Sequence, residues 1–223
     1  MSRFGERAQL ILVLGTVFLV GCGTGKATEV KRLQARSAYE GGMTDLAEGR
    51  TSLGLGALKQ AVALDPGVPV YRNALGLLYL SLKRQPEALE EFRRAVDLDS
   101  GYAEAQHNLG VAYAEGGKWE EAIQAYQKAL GLPGYSAAEV AHHNLGWAYY
   151  NLNRLAEAEE SFRLALRLDP NMAPAHYQLG LTLLKAGRRE EAKVSFRRTR
   201  ELAPETPFGV AAQRHLEALG EGG

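Results

Sequence analysis

Between residues 69 and 204, apolar positions recur with a helical period nested inside a longer one. Asn73-Ala74-Leu75-Gly76-Leu77-Leu78-Tyr79 returns as Gln106-His107-Asn108-Leu109-Gly110-Val111-Ala112-Tyr113. It returns again as His143-Asn144-Leu145-Gly146-Trp147-Ala148-Tyr149 and as Tyr177-Gln178-Leu179-Gly180-Leu181-Thr182-Leu183. Gly76, Gly110, Gly146 and Gly180 stand 34, 36 and 34 residues apart, and self-similarity at a fixed period marks a repeat architecture. Twelve residues after each glycine stands an alanine (Ala88, Ala122, Ala158, Ala192), and four further an aromatic ring (Phe92, Tyr126, Phe162, Phe196). Ala95, Ala129 and Ala165 follow, with Thr199 breaking the series. This spacing predicts two antiparallel helices per unit, held by small residues at the short end of the roughly 8–10 Å range, with the ring filling the gap toward the next unit. One hairpin alone leaves an apolar face wet, so the units must stack. No segment alternates as a strand would, and the expected class is all-α.

The pattern weakens toward the N-terminus. Asp65-Pro66 matches Asp169-Pro170 as a helix terminator, because the residue before proline is pushed out of the α region. Counting back from it, Gly42 falls at the repeat glycine, Gly54 at the alanine and Leu58 at the ring. Gly41, Gly42, Gly49, Gly54 and Gly56 each weaken a helix by roughly 1 kcal/mol relative to alanine, so this first repeat is expected to be the most mobile. Pro86 sits at a helix start, where its missing N–H costs little. Gly131 to Ser136 lengthen the third junction, and Ser136 is the expected N-cap of the helix that follows. Thr206 to Leu219 reads as a capping helix with Phe208, Val210, Ala211, Ala212, Leu216 and Leu219 inward and Gln213, Arg214 and Glu217 outward. The predicted repeats are 35–68, 69–102, 103–138, 139–172 and 173–206, with the cap at 206–219.

With Leu-Gly and Tyr in the first helix, then Ala, Phe, Ala and Pro in the second, residues 69–204 resemble the tetratricopeptide repeat (TPR) family. The resemblance implies a right-handed superhelical solenoid whose first helices line a concave face. It places Tyr39, Met43, Leu46, Asn73, Leu77 and Leu80 on that face, then His107, Val111 and Ala114. His143, Trp147 and Tyr150, followed by Tyr177, Leu181 and Leu184, continue it. An apolar and aromatic groove of this kind suits an amphipathic helix or extended apolar segment of another protein. Family members that clamp an acidic C-terminal peptide carry Lys, Arg and Asn at these positions; here only Asn73 fits.

The first 22 residues differ from the rest. Arg3 and Arg7 precede an apolar run from Ala8 to Val20, too short for a comfortable bilayer span and suited to a signal peptide over 1–21. Leu19-Val20-Gly21-Cys22 resembles the bacterial lipobox, which implies a diacylglycerol and an N-acyl chain on Cys22 and a tether over 22–28. Gly23 in place of Asp implies, by resemblance to sorting rules of enteric bacteria, the periplasmic face of the outer membrane. Cys22 is the only cysteine among 223 residues, so no intrachain disulfide or thiol pair exists. The chain is 46% hydrophobic with 26 basic and 26 acidic residues, giving no basic excess for nucleic acid. Gly23-Thr24-Gly25-Lys26 lacks the first glycine and preceding strand of a phosphate loop.

No catalytic or cofactor constellation stands out. His142 and His143 point about 100° apart on a helix and cannot chelate one ion together, so no metal site is expected. The carboxylates Glu90-Glu91, Glu120-Glu121, Glu159-Glu160 and Glu190-Glu191 recur on second helices as a solvated face. The expected protein is a monomeric adaptor without enzymatic activity or cofactor.

More narrowly, the poor first repeat ending Ala61-Val62-Ala63-Leu64-Asp65-Pro66, and the junction Leu130-Gly131-Leu132-Pro133-Gly134-Tyr135 leading to Ala141-His142-His143-Asn144-Leu145-Gly146, resemble the pilotins of type IV pilus systems. That resemblance implies an outer-membrane lipoprotein that binds a secretin subunit and promotes its localisation and multimerisation. The chain departs from that family in having five repeats and a lone helix instead of six clear hairpins.

Overall fold

The computed structural model describes residues 26 and 28–221. The expected signal peptide, Cys22 and most of the tether lie outside the described residues. Among the described residues every regular element is a helix: α1 (28–47), α2 (Thr51–Leu64), α3 (Pro69–Ser81), α4 (Gln85–Leu98), α5 (Ala103–Glu115), α6 (Trp119–Leu130), α7 (Ala138–Asn151), α8 (Leu155–Leu168), α9 (Ala173–Lys185), α10 (Arg189–Leu202) and α11 (Pro207–Ala218). None is long and apolar enough to cross a membrane. The chain forms two compact units, one ending at Leu78 and the other beginning at Tyr79.

In the second unit the two helices of a repeat have different surroundings. α5 buries Ala103, Ala105, Gln106, His107, Leu109, Gly110 and Ala112, residues spread around much of its circumference. α8 buries only Ala158, Ser161, Phe162 and Ala165 along one stripe, leaving its charged positions outward. First helices are therefore sandwiched between neighbours, while second helices show one face to water. A single buried cluster runs from Ala122 through Tyr126, Leu145, Phe162, Leu179 and Phe196 to Leu216.

In α6, α8 and α10 the ring lies over the glycine of its own hairpin, and Phe196 also reaches the next element, stacking on His215 of α11 at 4.8 Å. A Cβ on Gly110 would stand 2.6 Å from the Tyr126 ring, on Gly146 2.8 Å from Phe162, and on Gly180 2.6 Å from Phe196. Glycine is needed there because any side chain would occupy the ring's volume.

The turns inside the repeats use side chains other than the usual caps. Lys83 and Asn153 adopt φ of 60°, where two other turns carry Gly117 and Gly187. The next N–H returns to the end of the preceding helix, as in Arg84 to the Tyr79 carbonyl at 2.8 Å and Arg154 to that of Tyr149 at 2.9 Å. Each arginine also lies 4.6 Å over that tyrosine ring and donates to a glutamate three residues on, Glu87 or Glu157.

At the third junction α7 begins at Ala138 with Ala137 at its N-cap and no side-chain cap. Ser136 falls one position too early to accept from the first turn, contrary to expectation. At the C-terminus Thr206 does cap α11, accepting from Gly209 N at 3.3 Å. Gly209, Ala212 and Leu216 form the buried stripe of α11, so Val210 falls on the opposite side and Phe208 on its edge, and both are exposed. The expectation that both face inward is corrected: the stripe follows the 3.6-residue period, not the total of apolar residues.

In the first unit Gly42 and Gly54 are both buried and bring α1 and α2 into backbone contact. A Cβ on Gly42 would meet the Ala57 Cβ at 3.0 Å and the Gly54 carbonyl at 3.3 Å; one on Gly54 would meet Leu46 at 2.6 Å. Leu58 replaces the ring and is fully buried. Gly41 and Gly56 have open space where a Cβ would stand. Gly56→Ala and Gly41→Ala should each raise stability by about 1 kcal/mol in urea unfolding followed by circular dichroism, while Gly54→Ala should lower it.

Candidate protein-interaction site

In the second unit, α5, α7 and α9 lie side by side. They present Val111, Ala114, Trp147, Tyr150, Tyr177, Leu181 and Leu184, all half-buried and packed against the core. Trp147 and Tyr150 stack at 5.3 Å with planes 10° apart, and Lys185 Nζ sits 4.7 Å over the Tyr150 ring. Val111, Ala114, Trp119, Asn144 and Trp147 surround a hollow of about 240 Å³. Its size admits one or two apolar side chains of another polypeptide.

His107 is not part of this open face. It is 9% exposed, and its Nδ1 lies 2.7 Å from the Tyr135 hydroxyl while its Nε2 lies 3.3 Å from Asn144 Nδ2. With the Asn144 amide donating to Nε2, Nδ1–H donates to the Tyr135 oxygen, which fixes the neutral tautomer. Burial lowers its pKa from 6.5 to about 4, with Glu104 pulling weakly the other way. Burial likewise pushes the Tyr135 hydroxyl up to about 12. The two extra residues of the third junction thus supply a tyrosine that occupies the histidine assigned to a partner. Repeat phase alone does not find Tyr135 and Asn144 as functional positions; the lengthened period is the signal that points to them.

His143 is partly buried, with Nδ1 3.2 Å from Asn144 Oδ1. Burial lowers its pKa; the amides of Asn144 and Gln178 oppose this. His143 Nε2 and Gln178 Oε1 are buried without hydrogen-bond geometry. His142 shares the downward direction, from burial first and then from Arg167. Among the described residues no three of His, Cys, Asp and Glu converge as a metal site.

Tyr177 is partly covered by the cap. Its ring lies 5.6 Å from Phe208 and 6.0 Å from His215, whose Nε2 is 3.5 Å from the tyrosine oxygen. Helix α11 therefore does more than solvate the last repeat.

In the first unit, Tyr39 packs against Tyr71 at 4.9 Å, and Met43 and Leu77 are exposed. Leu46 fills the space above Gly54, which is open because glycine replaces the repeat alanine there. Asn73 is buried, as is Leu80 at the start of the second unit, so neither offers an open surface.

Repeated helical hairpins whose first helices expose an apolar aromatic strip define a protein-interaction scaffold. Tetratricopeptide repeat profiles match residues 103–132, 140–172 and 173–206, and a TPR repeat profile matches 76–117. The chain belongs to the tetratricopeptide repeat family. No curated protein sequence matches significantly. Among solved structures, PilF of Pseudomonas aeruginosa is similar at 22% identity and a TM-score of 0.74, over 86% of this chain and 86% of that one. PilW, described as a widely conserved type IV pilus biogenesis factor, is similar at 21% identity and 0.77, over 84% of this chain and 86% of that one. MamA is similar at 26% identity and 0.67, over 74% of this chain and 95% of that one.

Proposed function

We propose that the protein is an outer-membrane lipoprotein of the pilotin kind, held by acylation of Cys22, whose first-helix face binds a secretin subunit and promotes its multimerisation in type IV pilus biogenesis. The observation that carries the reading is the stacked Trp147–Tyr150 pair beside the Val111–Trp119–Trp147 hollow, an apolar anchor site on a rigid helical stack. The likeness in fold to PilF and PilW supports the choice of system. The lipobox-like Leu19-Val20-Gly21-Cys22 supports the anchor. The protein works by holding a polypeptide near the bilayer, with no bond made or broken.

Gene deletion should abolish detergent-resistant secretin multimers, and Cys22→Ala should leave a folded protein with the secretin mislocalised. Trp147→Ala should weaken secretin binding about 30-fold or more, as for an aromatic anchor worth at least about 2 kcal/mol. Normal multimers in the deletion strain would refute the reading. A second reading, a general cell-envelope scaffold for peptidoglycan or outer-membrane assembly enzymes, rests on the same apolar first-helix face and the lipobox-like segment. Co-purification of such enzymes in place of secretin would decide for it.

A further inference from the structure

A second concave surface lies in the second unit, on the side of the second helices and sharing no lining residue with the Trp147 hollow. Between α8 and α10, above α9, is a cleft of about 670 Å³ floored by Leu179 and Leu183 and walled by Leu166 and Val194. That volume lies in the range of ligand and peptide pockets.

Its composition departs from the repeat. Two residues after the repeat alanine α4, α6 and α8 carry Glu90, Gln124 and Glu160, polar side chains on the solvated face; in α10 the residue is Val194, 60% exposed. Two residues after the next small position α4, α6 and α10 carry Asp97, Gly131 and Glu201, and in α8 Arg167 lines the cleft. A scaffold position that is polar in three repeats and apolar in the fourth is not explained by stacking, since stacking uses the opposite stripe of the helix.

The charges are arranged along the cleft. At one end Glu191 is taken up by Arg188 at 2.5 Å and by Arg163 at 3.8 Å. Toward the other, Arg198 reaches Asn171 at 3.1 Å and Glu201 at 3.3 Å. Arg167 makes no ion pair among the described residues. His176 beside them is held toward its neutral form by burial. The cleft therefore offers an apolar trough with cationic charge at its Arg167–Arg198 end.

We propose that this cleft is a second docking surface, taking an amphipathic segment of a protein partner that lays an apolar face on Val194 and Leu166 and directs carboxylates to Arg167 and Arg198. The open Val194 wall favours a peptide over an acyl chain: a helix keeps its outer face in water, whereas a lipid chain in an open trough would leave apolar surface wet. Independent of Cys22 and of secretin, the surface would let one scaffold hold two polypeptides.

The test is fluorescence anisotropy with a labelled synthetic helical peptide carrying leucines on one face and paired glutamates at one end. Val194→Glu, which restores the residue type of the earlier repeats, should weaken binding at least about tenfold, or about 1.4 kcal/mol. Arg167→Glu should do the same, and exchanging the peptide glutamates for lysines should recover binding to that variant. Recovery distinguishes contact from misfolding. Absence of binding, equal binding of acidic and basic peptides, or insensitivity to Val194→Glu would overturn the proposal. Binding of decanoate that Val194→Glu abolishes, with the peptide unbound, would also overturn it and assign the cleft to an acyl amphiphile.

Discussion

Phe162→Ala is expected to lower the unfolding free energy by about 3–5 kcal/mol, since it removes a fully buried ring from the middle of the continuous core. The neighbouring change Gly146→Ala should cost about 1–3 kcal/mol for the opposite reason: its Cβ would stand 2.8 Å from that ring, and overpacking forces ring or helix to move. Together the two should cost less than their sum, because the added methyl enters the space the ring vacates. Urea unfolding of the wild type, both single variants and the double variant measures the coupling directly. Strict additivity would show that the ring–glycine contact does not set the spacing of α7 and α8. In a repeat stack each unit leans on its neighbours, so Phe162→Ala should also lower the slope of the transition as the second unit loses cooperativity.

The spacing that makes this prediction possible is legible in the amino-acid sequence. Gly110, Gly146 and Gly180 and the rings sixteen residues later stand out because these three repeats solve the same packing problem with the same residue types. The harder features are those that occur once. Leu46 has the phase of a groove residue, but glycine in place of alanine at position 54 opens a hole that Leu46 fills. The period assigns His107 to a partner, while Tyr135, in an insertion that belongs to no repeat, reaches back to it. Val210 is apolar and on that ground points inward, yet the Gly209–Ala212–Leu216 stripe turns it outward. Periodicity reports what repeats share; side chains that close gaps between them depend on distances that no local pattern encodes.

The His107 contact gives the fold a defined acid sensitivity. The histidine is buried neutral between Tyr135 and Asn144, with a pKa of about 4 against 6.5 when unfolded, so between these values the unfolded chain binds more protons than the folded one. Its contribution is therefore complete above about pH 6.5 and is lost as pH falls toward 4. The size of this loss between pH 7 and pH 4 is about 3 kcal/mol. Burial shifts His142, His143 and His176 in the same direction, and they add to the slope. Glu157, Glu191 and Glu221, held below the usual carboxylate range by Arg154, Arg188 and Arg197, act at the acid end. His107→Gln separates the contributions, because an amide can still bond to Tyr135 and Asn144 but carries no titrating proton. Urea midpoints measured from pH 7 to pH 4 should fall more steeply in the wild type than in His107→Gln, with the curves converging toward pH 4. Parallel curves would mean that the ring is charged in the folded state, and that the Tyr135 junction is held by something other than a neutral imidazole.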